Sequence, residues 1–353
     1  MRTTTDHAIN QRSSGRGGRT PEDAGTGTSP GRGTGPGLAG IAANVLRRVP
    51  GPLIGLIAVM IALSIMSPYF LTWRNLSNVI TQNADIGIMG VGAALVILIG
   101  GIDLSVGSTL ALSLMTSAWL YRSAGVPFEL CVVLGLTVGA AVGFINGVLS
   151  TYGRIQPFVA TLATMSAAAG LALYLTNGNP INGFPEWYLA ITSNDILGIP
   201  LEGIIMVATF LIAAYWLRFR PSGRALYAIG GNAEVARLSG LNVTRIKIGV
   251  YVVAGFLAAL AGVIVGSRLD SAQPTAGTAD LLNVIAVVVI GGASLSGGSG
   301  GMLNTFIGLL IIGVLNNGMS LLNVSPNLQP VVIGIAIIVA VLTDRASRSR
   351  QGA

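Results

Sequence analysis

Charge is the scarcest commodity in this sequence: only 9% of its 353 residues are Asp, Glu, Lys or Arg. A soluble domain carries about 25%, so an ordinary water-soluble globule is excluded. The lone cysteine, Cys131, lies in an apolar run. It leaves no disulfide framework and no thiolate metal site. The lone histidine, His7, sits near the N-terminus, so the apolar body has no Ser-His-Asp or Cys-His pair and no histidine metal cluster. Lys247 is the only lysine and no glycine precedes it. The phosphate-binding G-x-x-x-x-G-K-[ST] loop is therefore missing, and any ATP used must be hydrolysed on another chain.

What is present is apolar sequence in long stretches, with a mean hydropathy of +0.73. A bilayer crossing needs about 20 mainly apolar residues. Ten segments meet that need: 52–70, 84–100, 105–121, 128–150, 157–176, 202–217, 248–267, 281–296, 302–320 and 328–343. The predicted class is all-α, a polytopic membrane protein of about ten transmembrane helices with an internal repeat. Residues 1–49, rich in Gly, Ser, Thr, Pro and Arg, read as a disordered basic tail. Residues 50–343 read as the transmembrane domain, and 344–353 as a C-terminal tail.

Basic residues set the orientation. Seven arginines precede residue 50, six Lys and Arg crowd 218–247, and Arg345, Arg348 and Arg350 close the chain. Ten crossings bring all three clusters to one side, which the positive-inside rule makes cytoplasmic. Orientation accounts for the pI of about 10.1 without a nucleic-acid partner. Segment 177–201, with Glu186 and Asp195 but no base, falls outside. It reads either as an ordered cap or as an unstructured loop.

The repeat is short. Ile99–Ser108 aligns without gaps on Ile290–Ser299 with seven identities in ten. Each copy is open to two readings, a tight glycine turn or the interrupted helix of a transporter. Gly100, Gly101, Gly291 and Gly292 are the candidate hinges. Along 128–150, Gly135, Gly139, Gly143 and Gly147 recur every fourth residue and offer a smooth strip for close helix approach. Asn146 beside them either bonds across helices or lines a path. Asp85 and Asp103 are the ionisable groups read within spans, both near ends or breaks, and so sparse a set argues against an ion-driven carrier. A path without buried charge suits a neutral, hydroxyl-rich solute met by amides and hydroxyls. Candidates for that path are Asn83, Asp103, Asn146, Phe158, Thr161 and Asn304, with Asn316 and Asn317 offering further amides.

The loop Ser222–Leu241 is the most informative polar stretch. Asn232 suits an N-cap, Glu234 the first helical turn, Arg237 the last and Gly240 the stop, which describes a helix of about two turns. Such a helix is marginal in water and needs a surface, either this chain's own inner face or a separate cytoplasmic protein.

These residues carry a resemblance. Gly100–Gly107, Gly143–Gly147, Gln156–Leu162, the loop from Gly223 to Gly240 and Ile290–Gly298 resemble, in order, the permease subunit of ribose/xylose/galactose-type ABC importers. The resemblance implies a bacterial inner-membrane permease with a fold similar to the vitamin-B12-type importers. It implies a second permease copy, giving a homodimer, and a separate ABC ATPase with two nucleotide-binding domains that holds ATP and Mg. A periplasmic or lipid-anchored sugar-binding protein would deliver cargo, and this chain would carry no cofactor, metal or catalytic residue. Its coupling element would be Arg224, Gly231, Asn232, Glu234, Arg237 and Gly240. Nucleoside, polyol or other small polar cargo is the alternative within that class, and an ion-coupled carrier the alternative outside it. The sequence departs from the family pattern in its N-terminal tail and in Ser294, which stands where the first copy has Asp103.

Overall fold

The computed structural model describes residues 51–336 and 338. The expected tails, 1–49 and 344–353, and the end of the tenth expected span lie outside the described residues. Within them the chain is predominantly helical. In order come α1 (Gly51–Met66), α2 (Trp73–Gln82), α3 (Ala84–Leu98), α4 (Val106–Ala124), α5 (Phe128–Thr151) and α6 (Pro157–Tyr174). After them come β1 (Ile181–Asn182), α7 (Glu186–Ser193), β2 (Asp195–Ile196), β3 (Ile199–Pro200), α8 (Leu201–Phe219), α9 (Pro221–Gly231) and α10 (Ala233–Leu238). The series closes with α11 (Val243–Leu269), β4 (Ser271–Ala272), α12 (Asp280–Ile290) and α13 (Met302–Leu321), and residues 329–336 are again helical.

Five helices, α5, α6, α8, α11 and α13, are long and apolar enough to cross a membrane, and α2 with α3, bent by 47°, forms a sixth candidate. The protein is thus a polytopic helical membrane protein. Two differences from the ten expected segments have clear causes. Segment 281–296 is helical only to Ile290, because Gly291 and Gly292 stop it. At 1.5 Å per residue, α12 covers about 16 Å, half a hydrocarbon core. Trp73–Gln82 is a helix that the hydropathy reading passed over, for its WRNLSNVITQ sequence is polar along one face.

Every residue of α3 is buried, which accounts for its being apolar all round. It packs on α11, α12, α8 and α13, while α11 packs most extensively on α5. Between α5 and α11 backbone meets backbone. A Cβ at Gly139 would strike the Gly255 carbonyl, one at Gly143 the Tyr251 carbonyl, and one at Gly147 the Ile248 backbone; Gly135 lies against Ser113 and Ser117 of α4 instead. A four-residue repeat drifts about 40° per step around a helix with 3.6 residues per turn, which carries the strip from α4 to α11. Lipid chains are as apolar as leucine, so close fit of small residues, rather than exclusion from water, holds such helices together.

Segment 177–201 is ordered. β1 pairs antiparallel with β4, Tyr188 donates its hydroxyl to the Val263 carbonyl at 2.8 Å, and Ser267 Oγ donates to the Tyr188 carbonyl at 2.6 Å. Phe128, Phe184, Trp187 and Tyr188 pack ring against ring beneath it. The cap is bound to the C-terminal end of α11.

Candidate functional site

The two glycine runs end their helices in the same manner but one residue out of step. After α3, the Gly100 and Gly101 amides donate to the Ile97 and Val96 carbonyls, with Gly100 at φ +75°. After α12, the Gly292 and Ala293 amides donate to the Val289 and Val288 carbonyls, with Gly292 at φ +83°. Both are Schellman stops, which demand a left-handed residue that glycine adopts without strain. Sequence alignment pairs Gly100 with Gly291, whereas the backbone pairs it with Gly292. Of the four candidate hinges, Gly100 and Gly292 therefore turn the chain. The other two permit close approach: Gly101 faces Val96 and the Tyr251 hydroxyl, and Gly291 the backbone of Asn304.

The runs touch. The Gly298 amide donates to the Leu98 carbonyl at 3.0 Å, and Gly297 lies against the Gly100 backbone. Into this contact comes the end of α9. A Cβ on Gly230 would collide with the Leu98 carbonyl and the Gly298 amide, and Gly298 stacks on the Gly231 backbone. Tyr227 adds a hydroxyl bond to the Gly300 carbonyl at 3.2 Å, and burial pushes its phenol pKa up.

One residue beyond Gly231, Asn232 caps α10, its Oδ1 accepting from the Glu234 and Val235 amides at 3.0 Å each. Glu234 and Arg237 pair at 3.4 Å in the open, a contact worth little in itself. Gly240, at φ +86°, ends the helix, and Val235 and Leu238 are exposed. The expected short helix is α10, which protrudes; α9, before it and not expected, is held in the body. Arg224, grouped with α10 from the sequence, instead reaches back to the Arg218 and Phe219 carbonyls at the end of α8, at 3.5 Å.

Three of the six path candidates come together away from any described cavity. Asp103 Oδ1 accepts from the Ser105 amide at 2.8 Å and from Ser105 Oγ at 2.6 Å. Ser105 Oγ in turn accepts from Asn146 Nδ2 at 2.8 Å, and Thr164 Oγ1 donates to Asn146 Oδ1 at 2.6 Å. Thr161 Oγ1 donates to the Ile102 carbonyl at 3.1 Å. All but Thr164 are buried, so α5 and α6 fix the α3–α4 break through a paired polar chain. The other three lie apart. Phe158 is half exposed on α6, Asn304 stands beside Gly291, and Asn83 closes α2 and donates to the Val79 carbonyl at 2.8 Å. Asn317 exchanges two hydrogen bonds with Asn75, at 2.8 and 2.9 Å.

A charged cluster escaped the sequence reading. Arg268 meets Asp85 at 3.1 Å, Glu202 at 3.6 Å and the Thr81 carbonyl at 2.7 Å, joining α2, α3, α8 and α11. Asp85 and Glu202 are buried. The available signal was positional: in a chain almost free of charge, these residues each stand within two positions of a helix end.

Beside Asn83 opens a cavity of about 330 Å³. Its polar wall is Gln82, Asn83, Asp280, Asn283, Asn316 and Gln329, with Ser320, and its apolar wall includes Ile86, Leu282 and Ile333. Among the described residues no group of three or more His, Cys, Asp or Glu is placed to hold a metal.

The arrangement so far is that of a membrane protein with a protruding helix tied into its centre. The family described as branched-chain amino acid transport system / permease component matches residues 75–341. The chain belongs to this permease family. Relatives include the ribose import permease protein RbsC of Bacillus subtilis (strain 168), 50% identical over 297 residues, covering 84% of this chain and 92% of the relative. The protein of the same name from Escherichia coli (strain K12) is 46% identical over 301 residues, covering 83% and 92%. The D-allose transport system permease protein AlsC of Escherichia coli (strain K12) is 37% identical over 292 residues, covering 82% and 90%. No solved structure matches the chain.

Proposed function

We propose that this permease is the membrane-spanning subunit of an ATP-driven importer for a neutral monosaccharide. In this reading it lies in a bacterial inner membrane as about ten crossings of a fold similar to the vitamin-B12-type importers, with both termini cytoplasmic. It works as a homodimer with a separate two-domain ATPase and a sugar-binding protein outside. The relatives named for ribose and allose support the cargo class. One observation carries the coupling: the exposed helix α10 is one residue from Gly231, and the Gly230–Gly231 backbone is wedged between the Leu98 carbonyl at the end of α3 and Gly297 and Gly298 of the second glycine run.

The mechanism is alternating access. When the ATPase domains close on ATP, they displace α10. Val235 and Leu238 supply its apolar contact and Asn232 keeps the short helix wound. Because Gly230 has no side chain to absorb the shift, α9 passes it to the ends of α3 and α12. No bond in the solute is made or broken, so the subunit needs no catalytic residue.

The test is reconstitution with the cognate ATPase and binding protein, measuring ATP-dependent D-ribose uptake. Glu234→Arg should insert normally yet lose stimulation of the ATPase and at least tenfold of uptake; unchanged coupling overturns the assignment. A second reading, an ion-coupled carrier, is favoured by the buried Asp85–Arg268–Glu202 cluster. Gradient-driven uptake by the chain without any ATPase would establish it.

A further inference from the structure

The polar side chains of this molecule fall into two sets. Asn75 and Asn317 satisfy one another, and Asn146 is bonded on both ends of its amide. These are structural joints. Around the cavity, by contrast, the side chains of Gln82, Asp280, Asn283, Asn316 and Gln329 have no hydrogen-bond partner among the described residues. Four helices converge to place these groups about one space, to which the start of α3 adds Asn83 and Ile86. Their bonding capacity is open to a solute that displaces water from this space.

We infer that this cavity is a transit subsite that holds a neutral polyhydroxylated solute by its hydroxyl groups. The inference rests on the import reading above and names the residues that read the cargo. The volume, about 330 Å³, falls within the roughly 300–1,000 Å³ of small-molecule sites. Each amide offers a donor and an acceptor to a hydroxyl pair, and the Asp280 carboxylate accepts from two hydroxyls at once. Ile86, Leu282 and Ile333 provide the apolar wall against which the C–H face of a sugar ring rests. A zwitterionic amino acid suits the site poorly. No Lys, Arg or His is among the lining residues, so its carboxylate would be desolvated without a cation. The site differs from the paired chain of Asp103, Ser105 and Asn146, which fixes helices and leaves no room for solute.

Asn283→Leu and Asn316→Leu, each made in the full importer, remove the hydrogen-bonding groups at nearly constant bulk. Each should lower ATP-driven D-ribose uptake at least tenfold while the loaded binding protein still stimulates the ATPase; wild-type uptake in both overturns the inference. A second measurement needs no ATPase. Because the single native cysteine, Cys131, is buried, the wild-type chain is the blank for thiol labelling. Asn316→Cys should react with a small hydrophilic methanethiosulfonate, and excess D-ribose should slow that reaction at least threefold while excess leucine leaves it unchanged. Labelling indifferent to ribose, or slowed by leucine instead, overturns the inference. If the wild-type importer fails to take up sugar with ATP, the import reading falls, and the labelling still decides what the cavity binds.

Discussion

The two glycine runs are near copies in sequence and are held in different ways. The run at 99–108 is anchored: Asp103 and Ser105 bind it to Asn146 on α5, and Thr161 on α6 holds the Ile102 carbonyl. The run at 290–299 has Ser294 in place of Asp103, and its own backbone closes the turn, with the Ser294 amide donating to the Ser299 carbonyl at 3.1 Å. The first run is thus held by side chains of two further helices, whereas the second meets the end of α3 and α9 through backbone alone. Similar sequence sets up the same helix stop twice, and only the first copy has a carboxylate, Asp103, to hold Ser105 in place for Asn146.

The largest effect should come from breaking the point where both copies meet. Gly230→Val drives a side chain into the Leu98 carbonyl and the Gly298 amide, neither of which can rotate away. Uptake should vanish and detergent-extracted protein should aggregate, as read by size-exclusion chromatography. Next, Asp103→Ala should cost about 1–3 kcal/mol by stranding the buried Ser105 amide and hydroxyl, whereas Ser294→Ala should stay within about 0.5 kcal/mol. Thermal unfolding of the two purified variants, side by side, tests whether anchoring is confined to the first run. The finest test concerns the one-residue offset. Gly100→Ala and Gly292→Ala should each cost about 1–2 kcal/mol, since both occupy left-handed backbone with no close neighbour within 3.4 Å of an added Cβ. Gly101→Ala meets the Tyr251 hydroxyl instead, so Tyr251→Phe should relieve it and should not relieve Gly100→Ala. Relief of both would show that the offset is wrong.

Much of this architecture could be read from residue order. The four-residue glycine spacing becomes a backbone seam, and Asn232, Glu234, Arg237 and Gly240 mark both ends of α10 because capping is local chemistry. Hydropathy located eight of the described helices that correspond to expected segments, since apolar length is additive along the chain. It overran α12, where a glycine stop halts a run that stays apolar in composition, and it skipped α2, whose one apolar stripe averages away. The functional candidates were harder. Asp103, Asn146 and Thr161 share a sealed cluster, yet nothing in their spacing says that they meet, and Asn83 belongs to a separate cavity. Arg268, Glu202 and Asp85 are 66 positions or more apart and are joined only when helix ends converge. Whether an amide is spent on a neighbour or kept free is a tertiary fact, with no imprint on local sequence.

The seam between α5 and α11 has a mechanical corollary. Side chains act as cushions, and a contact made through them can yield by changing rotamers. Gly139, Gly143 and Gly147 leave no such padding, so the two longest of the described helices form a stiff spar at fixed spacing, about which the shorter, broken elements can pivot while the cap at one end of α11 keeps its alignment.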